Sequence, residues 1–417
     1  MPNALNLTGI ALTTDQGRWK RLATKLAREV LAPNAEKTDR EAIFPMANLR
    51  RLGAEGLLAL PLPKEMGGKG ETILTTAIVT EELAQGCAST AMCFHMHMST
   101  IPLMAALIEG EEQIEKLLGP VVRGEAFGSF AMSEPGSGNR LWHTDSYAQR
   151  EGDDYVIDCF KSFATSAGQA DYYVVPTRPS QDSGPNDLSL FMLDGKDPCI
   201  KPVGVWDGMG LRGNSSTPVK FDRCIAPEWR RLGGPNVGFS MLFAYSLPIY
   251  QVGLAACYVG IAQSAYDTAV EHVKKRIHTD TNQSLSRLET VQRYVAEMRV
   301  RIDLVRGMVH RVAQMSDNAL VLFDELHQAG LLDEIIRENP DDPFFVEIAQ
   351  VKAAAAEMAV DVAHKALQVC GGTAYKRGHP AERAYRDARA GSVMAPSDDT
   401  LKLIVGRQVL GIEQPWE

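Results

Sequence analysis

The sequence holds only seven cysteines in 417 residues, and none stands in a C-x-x-C pair. Cys87, Cys93, Cys159, Cys199, Cys224, Cys257 and Cys370 form an odd, dispersed set, which reads as reduced thiols in a cytoplasmic protein rather than a disulfide framework. Metal-ligand spacing is missing too. His95 and His97, beside Cys93, come nearest, but residues two apart on a helix point away from each other, so no metal site is expected. The start, MPNALNLTGIALTTD, has neither a basic leader nor a long apolar segment and does not read as a signal peptide. No uncharged apolar run of about 18 residues is read, so no membrane span is expected. Basic residues are outnumbered, 43 Lys and Arg against 52 Asp and Glu, for a net charge of −9. That balance argues against broad nucleic-acid binding, which needs clustered Lys and Arg. A P-loop, a serine nucleophile elbow and an H-E-x-x-H zinc motif are also absent.

What remains is an ordinary globular composition, 45% hydrophobic and 23% charged. Helical spacing opens the chain. Trp19, Leu22, Ala23, Leu26 and Val30 share one face, with Thr14 and Asp15 as the cap and Pro33 as the stop. Further helical stretches are expected over 47–58, 72–83, 88–107 and 111–118. At Gly124 the pattern changes to short runs of β-formers, at 126–132, 155–158, 172–177, 188–193, 200–203 and 219–221, separated by turn residues. The polar stretch 178–187 reads as an exposed connector. After Gly238 the helical period returns in long segments over 239–276, 285–328, 342–370 and 400–410, which suit an antiparallel bundle.

Residues 208–213, GMGLRG, match the dinucleotide pattern G-x-G-x-x-G literally. That pattern needs a strand before it and a helix after it, so that the helix N-terminus faces the pyrophosphate. Here a polar turn and another strand follow, and the segment reads as a loop of the β region.

Three segments carry most information: FAMSEPGSGNR at 130–140, KSFATSAGQADYYVV at 161–175 and QVCGGTAYKRGHPAERAYRDAR at 368–389. With GMGLRGNSSTPVKFDRCIAP at 208–227 and LIVGRQVLG at 403–411, in this order, the chain resembles the acyl-CoA dehydrogenase superfamily of flavoproteins over nearly its whole length. The resemblance implies an α+β fold: an all-α N-terminal domain over 1–125, a central antiparallel β-sandwich or barrel over 126–232, and a C-terminal four-helix bundle over 233–417. It implies FAD as cofactor. Phe130, Met132, Ser133, Phe163 and Thr165 would hold the isoalloxazine, with Thr165 bonding N5 and Phe163 standing where Trp is commoner. Ser397 and Asp399 would also contact FAD. Gln368, Gly371 and Gly372 would close over its adenosine and pyrophosphate from a neighbouring subunit, and Arg276 would bind the pyrophosphate across that interface. A homo-oligomer, by family habit a tetramer, follows, together with an electron-transfer protein or a flavin reductase as redox partner.

Positions tied to acyl-CoA chemistry depart from the pattern. The usual catalytic Glu falls on Ala395. Where some members carry the Glu on the first long C-terminal helix, this chain has Tyr250, with Gln251 in place of the adjacent arginine. Asn139–Arg140 replaces the common Ser-Asp. Asn139, Tyr250 and Gln251 are thus candidate substrate contacts. Asp398 is the candidate relocated base, against a competing reading as a helix cap. The resemblance implies α,β-dehydrogenation of an acyl thioester with a displaced base. Relatives that use reduced flavin and O2 as monooxygenases lack the Glu, and so do acyl-CoA desulfinases. In a monooxygenase His97 would orient a hydroperoxide or a phenolic substrate. A flavin-binding subunit without catalysis is a further alternative.

Overall fold

A computed structural model describes residues 12–339 and 342–414. The first eleven residues, which include most of the MPNALNLTGIALTTD start considered above, lie outside it.

Helix α1, Thr14–Leu26, starts one residue earlier in its capping than the sequence suggested. Thr13 is the N-cap, and its hydroxyl and the Gln16 side chain satisfy each other's backbone N–H groups. Pro33 does not stop the helix. A wide π turn over Ala27–Leu31 intervenes, and Pro33 then sits in the first turn of α2, Ala32–Glu41, where a missing N–H costs nothing. Helices α3 (Met46–Ala54), α4 (Ile73–Gly86), α5 (Ala88–Met98) and α6 (Ile101–Leu107) follow, and a last helical stretch over 111–122 ends the first unit. Every residue of α5 is buried, as is nearly every residue of α4.

Two four-stranded sheets follow. One has the order β1 (Gly128–Phe130), β4 (Tyr172–Thr177), β5 (Ser189–Asp194), β8 (Arg231–Leu232). The other runs β2 (Ala148–Glu151), β3 (Asp154–Lys161), β7 (Val219–Pro227), β6 (Ile200–Pro202). All pairs are antiparallel except β1 with β4, which is parallel, placing Phe130 beside Val174. Strand β2 (AQRE) escaped the sequence reading because three of its four residues face solvent and carry no apolar alternation.

The thiol expectation needs one correction. Cys199 and Cys224 are joined in a disulfide, with Cα atoms 5.3 Å apart. Cys199 precedes β6 and Cys224 lies in its partner β7, a proximity that a sequence separation of 25 conceals. The other five cysteines are free and buried.

The C-terminal unit packs α7 (Leu247–Lys275), α8 (Glu289–Gln328), α9 (Pro343–Cys370), α10 (Pro380–Arg389) and α11 (Asp398–Leu410). The expectation about apolar runs is also corrected: the helix over Gly238–Lys275 is long and apolar enough to cross a membrane by composition, yet 89% of its most apolar window is buried inside the protein. It is the central core helix, touching α4, α5, α8 and α9. Two glycines permit that closeness. A Cβ on Gly260 would stand 2.3 Å from the Glu81 carbonyl oxygen, and one on Gly253 would stand 2.1 Å from the His95 ring.

The β-region loop over 208–213 is pinned between the helical units. Arg386 of α10 forms a bidentate pair with Asp39 of α2 (2.8 and 2.6 Å) and donates to the Met209 carbonyl (3.0 Å). Asp387 accepts from the Leu211 N–H at 2.7 Å. These buried charges are matched by partners from three parts of the chain, as burial of charge requires.

Candidate active site

A cavity of about 630 Å3 opens where the β region meets the C-terminal helices. The β side of its wall is built by backbone pairing. The Ala131 N–H donates to the Val174 carbonyl (3.0 Å), and the Ser162 N–H to the Ser133 carbonyl (2.7 Å). The turn after β3 is held by Ala164 N–H to Thr217 (3.2 Å) and Ser166 N–H to Asn214 (2.9 Å). This brings Phe130, Met132, Ser133, Phe163 and Thr165 together at one cavity, with Trp206, Asn214 and Ser216. The helical side adds Ser246, Leu247, Tyr250, Met394 and Ala395, and Asn139 lies at the cavity too.

Beneath this wall lies a buried ion pair that the motif reading overlooked. Lys161 is fully buried. Its Nζ donates to Glu134 Oε1 at 2.6 Å, to the Pro176 carbonyl at 2.9 Å and to the Met132 carbonyl at 3.4 Å. Glu134 also accepts from the N–H groups of Asp145 (2.7 Å) and Ser146 (3.0 Å) and from the Ser146 hydroxyl. Burial alone would raise its pKa. The charge and hydrogen bond of Lys161 and the Ser146 hydroxyl outweigh that and hold it down to about 2. The Lys and the Glu of the two motifs are therefore the scaffold that orients Met132 and Ser133.

Several wall features call for a flat molecule with a polar edge. Phe163 is 61% exposed, an apolar face with no protein cover. The Oδ1 of Asn214 and the Oγ of Ser246 are buried without a hydrogen-bond partner. Thr165 Oγ1 lies 3.1 Å from Ser216 Oγ and can turn its proton elsewhere. Neither Asn214, Ser216 nor Ser246 stood out beforehand, since a single polar residue in a turn or helix has no periodic signal.

Asp398, Ser397 and Asp399 line a separate hollow of about 400 Å3, with Asn139 at its edge. Asn139 Nδ2 reaches Ser397 Oγ at 3.3 Å. Ser397, not Asp398, caps α11, accepting from the Thr400 N–H. Asp398 Oδ1 is 3.0 Å from Nζ of the fully buried Lys352, which also donates to the carbonyls of Met394 (3.1 Å) and Pro396 (2.9 Å). The candidate base thus does not face the large cavity. It neutralises a lysine 46 residues away.

His97 is likewise removed from the cavity. Its Nδ1 accepts the Gly128 N–H (3.1 Å) and lies 3.1 Å from the Tyr172 hydroxyl, so Nε2 carries the proton donated to the Leu58 carbonyl (2.9 Å). Burial pushes its pKa down to about 4. It is a neutral cross-link between α5 and β1. His95 is neutral as well, its pKa pushed down to about 3 by burial, and its ring stacks on Tyr250 at 5.8 Å. Gln251 is buried with neither end of its amide bonded, and it does not line the cavity. Arg276, Gln368, Gly371 and Gly372 are exposed and line neither hollow. Among the described residues no cluster of three metal-ligating side chains occurs.

Family models for the acyl-CoA dehydrogenase N-terminal, middle and C-terminal domains match residues 13–125, 129–224 and 242–410. The chain belongs to the acyl-CoA dehydrogenase family. It is an oxidoreductase with that family's fold. A probable acyl-CoA dehydrogenase of Bacillus subtilis is 30% identical over 96% of this chain and 99% of its own length. The human mitochondrial short-chain specific acyl-CoA dehydrogenase is 30% identical over 92% of this chain and 87% of its own. The structure of butyryl-CoA dehydrogenase from Megasphaera elsdenii superposes with a TM-score of 0.85 at 25% identity, over 96% of this chain and all of that one.

Proposed function

We propose that this member of the acyl-CoA dehydrogenase family carries FAD and interconverts an acyl thioester and its α,β-unsaturated partner. The cavity wall that unites Phe130, Met132, Ser133, Phe163 and Thr165 is the observation that carries the reading. Phe163 would offer a face to the isoalloxazine and the Thr165 hydroxyl a hydrogen bond to its N5, while Asn214 Oδ1 and Ser246 Oγ, buried without partners, would supply an acceptor and a donor. When bound, FAD supplies two-electron transfer at N5. The apolar residues opposite, Leu242, Leu247 and Met394, hold the acyl chain and exclude water.

Arg276, Gln368, Gly371 and Gly372 lie on the surface of one subunit, which suits contact with the FAD of a neighbour in a homo-oligomer. A redox protein that exchanges electrons with the flavin completes the cycle.

The decisive test is anaerobic mixing of the holoprotein with saturated acyl thioesters, and of the reduced holoprotein with their enoyl counterparts. Bleaching in the first case or return of the yellow colour in the second is the expected result. A second reading, oxygenation of a non-thioester by reduced flavin and O2, is favoured by one observation: Glu134, the one carboxylate among the described residues lining the cavity, is ion-paired. Inertness toward every thioester, with turnover only under O2 and a flavin reductase, would replace the first reading by the second.

A further inference from the structure

Thioester redox chemistry moves a hydride at Cβ and a proton at Cα, so some group must handle the proton. Among the described residues lining the cavity, two side chains titrate, Glu134 and Tyr250. Glu134 is consumed by Lys161 and by the 145–146 backbone. Tyr250 is different. It sits in the first turn of α7, with its ring fixed against His95. Its hydroxyl makes one hydrogen bond, donated at 2.8 Å to the carbonyl of Ala395, itself a wall residue. That leaves both lone pairs of the phenol oxygen unused and its proton on a single backbone acceptor.

We propose that Tyr250 is the catalytic acid of this chain, giving its phenolic proton to the Cα of an α,β-unsaturated thioester, so that the enzyme works in the reductive direction. The inference rests on the thioester reading above. In the step, Cβ would take up the hydride that reduced FAD supplies when bound. The π pair of the Cα=Cβ bond forms the new Cα–H bond with the Tyr250 proton, and the Tyr250 O–H bond breaks. The phenolate recovers a proton from water, and a reduced electron-transfer protein restores the flavin. The product is the saturated thioester. Burial holds the phenol well above its ordinary value of 10, so it rests protonated, as an acid must and a base must not. The Ala395 carbonyl favours the same protonated form by accepting its hydrogen.

The test is single-turnover reoxidation of dithionite-reduced holoprotein by an enoyl thioester, in H2O and in D2O, for wild type and Tyr250→Phe. The variant keeps the ring and its stacking, so FAD content and melting midpoint should match wild type. The expected result is reoxidation about 100-fold slower or worse in the variant. The wild-type rate should also fall in D2O, with deuterium delivered to Cα. A variant that reoxidises at the wild-type rate overturns the role of Tyr250, and so does a wild-type rate indifferent to D2O. If wild type reacts with no thioester in either direction, the functional reading itself fails, an outcome distinct from an unimpaired Tyr250→Phe.

Discussion

Lys161→Met removes the counter-charge of Glu134 beneath the cavity wall. Glu134 is then left buried with three polar hydrogen donors and no cation. The native environment lowers its pKa from 4.5 to about 2, which at ~1.36 kcal/mol per pH unit is about 3 kcal/mol of preference for the carboxylate. Removing one member of a buried pair costs about 3–5 kcal/mol by general experience, so the two routes agree. Thermal melts of the apoprotein at neutral pH should show a large loss for Lys161→Met. They should show a much smaller one for the double variant with Glu134→Gln, since the amide oxygen still accepts the backbone N–H groups without a stranded charge. The sign with pH follows. Glu134's folded pKa is depressed, so its contribution is whole above 4.5 and is lost as pH falls towards 2. The gap between wild type and Lys161→Met should therefore narrow in acid. A Lys161→Met protein that melts with wild type, or a double variant showing the sum of the single losses, would refute the pair's role.

Phe163→Ala strips the exposed ring from the cavity, and the loss of about 0.5–1.5 kcal/mol of stacking should weaken FAD binding about 2- to 10-fold by fluorescence titration. Gly260→Ala drives a methyl into the rigid Glu81 carbonyl, and a melting loss of about 1–3 kcal/mol or more is expected; an unchanged midpoint would mean that α4 and α7 have room to part. Asp398→Asn leaves Lys352 buried without a counter-charge, so the melt should fall, while the rate of thioester-dependent flavin reduction or reoxidation per bound flavin stays at the wild-type value. A normal melt with that rate abolished would return Asp398 to the role of base.

The order helices, sheets, helices was legible because it rests on local periodicity. Apolar spacing of 3.6 marks α1 and α9, and a short run of β-formers marks β4, whose expected span of 172–177 is the observed one and is buried throughout. The wall residues Phe130, Met132, Ser133, Phe163 and Thr165 were legible through their segments. Roles that depend on a distant partner were not. Asp398 looks like a free carboxylate until Lys352 meets it, and His97 looks like a cavity histidine until Leu58, Gly128 and Tyr172 enclose it. The same holds for Cys199 with Cys224, and for Pro33, which a π turn carries into the next helix.

The sequence by itself determined the elements and their order, because backbone propensity and apolar period act over a few neighbouring residues, while the residues expected at a flavin came from the resemblance of whole segments to the family. Only the tertiary structure decided which charges are spent and which remain. Pairing of Lys161 with Glu134 and of Lys352 with Asp398 depends on burial, where an unmatched charge is too costly to persist. What that pairing leaves at the cavity is the hydroxyl of Tyr250 on the carbonyl of Ala395.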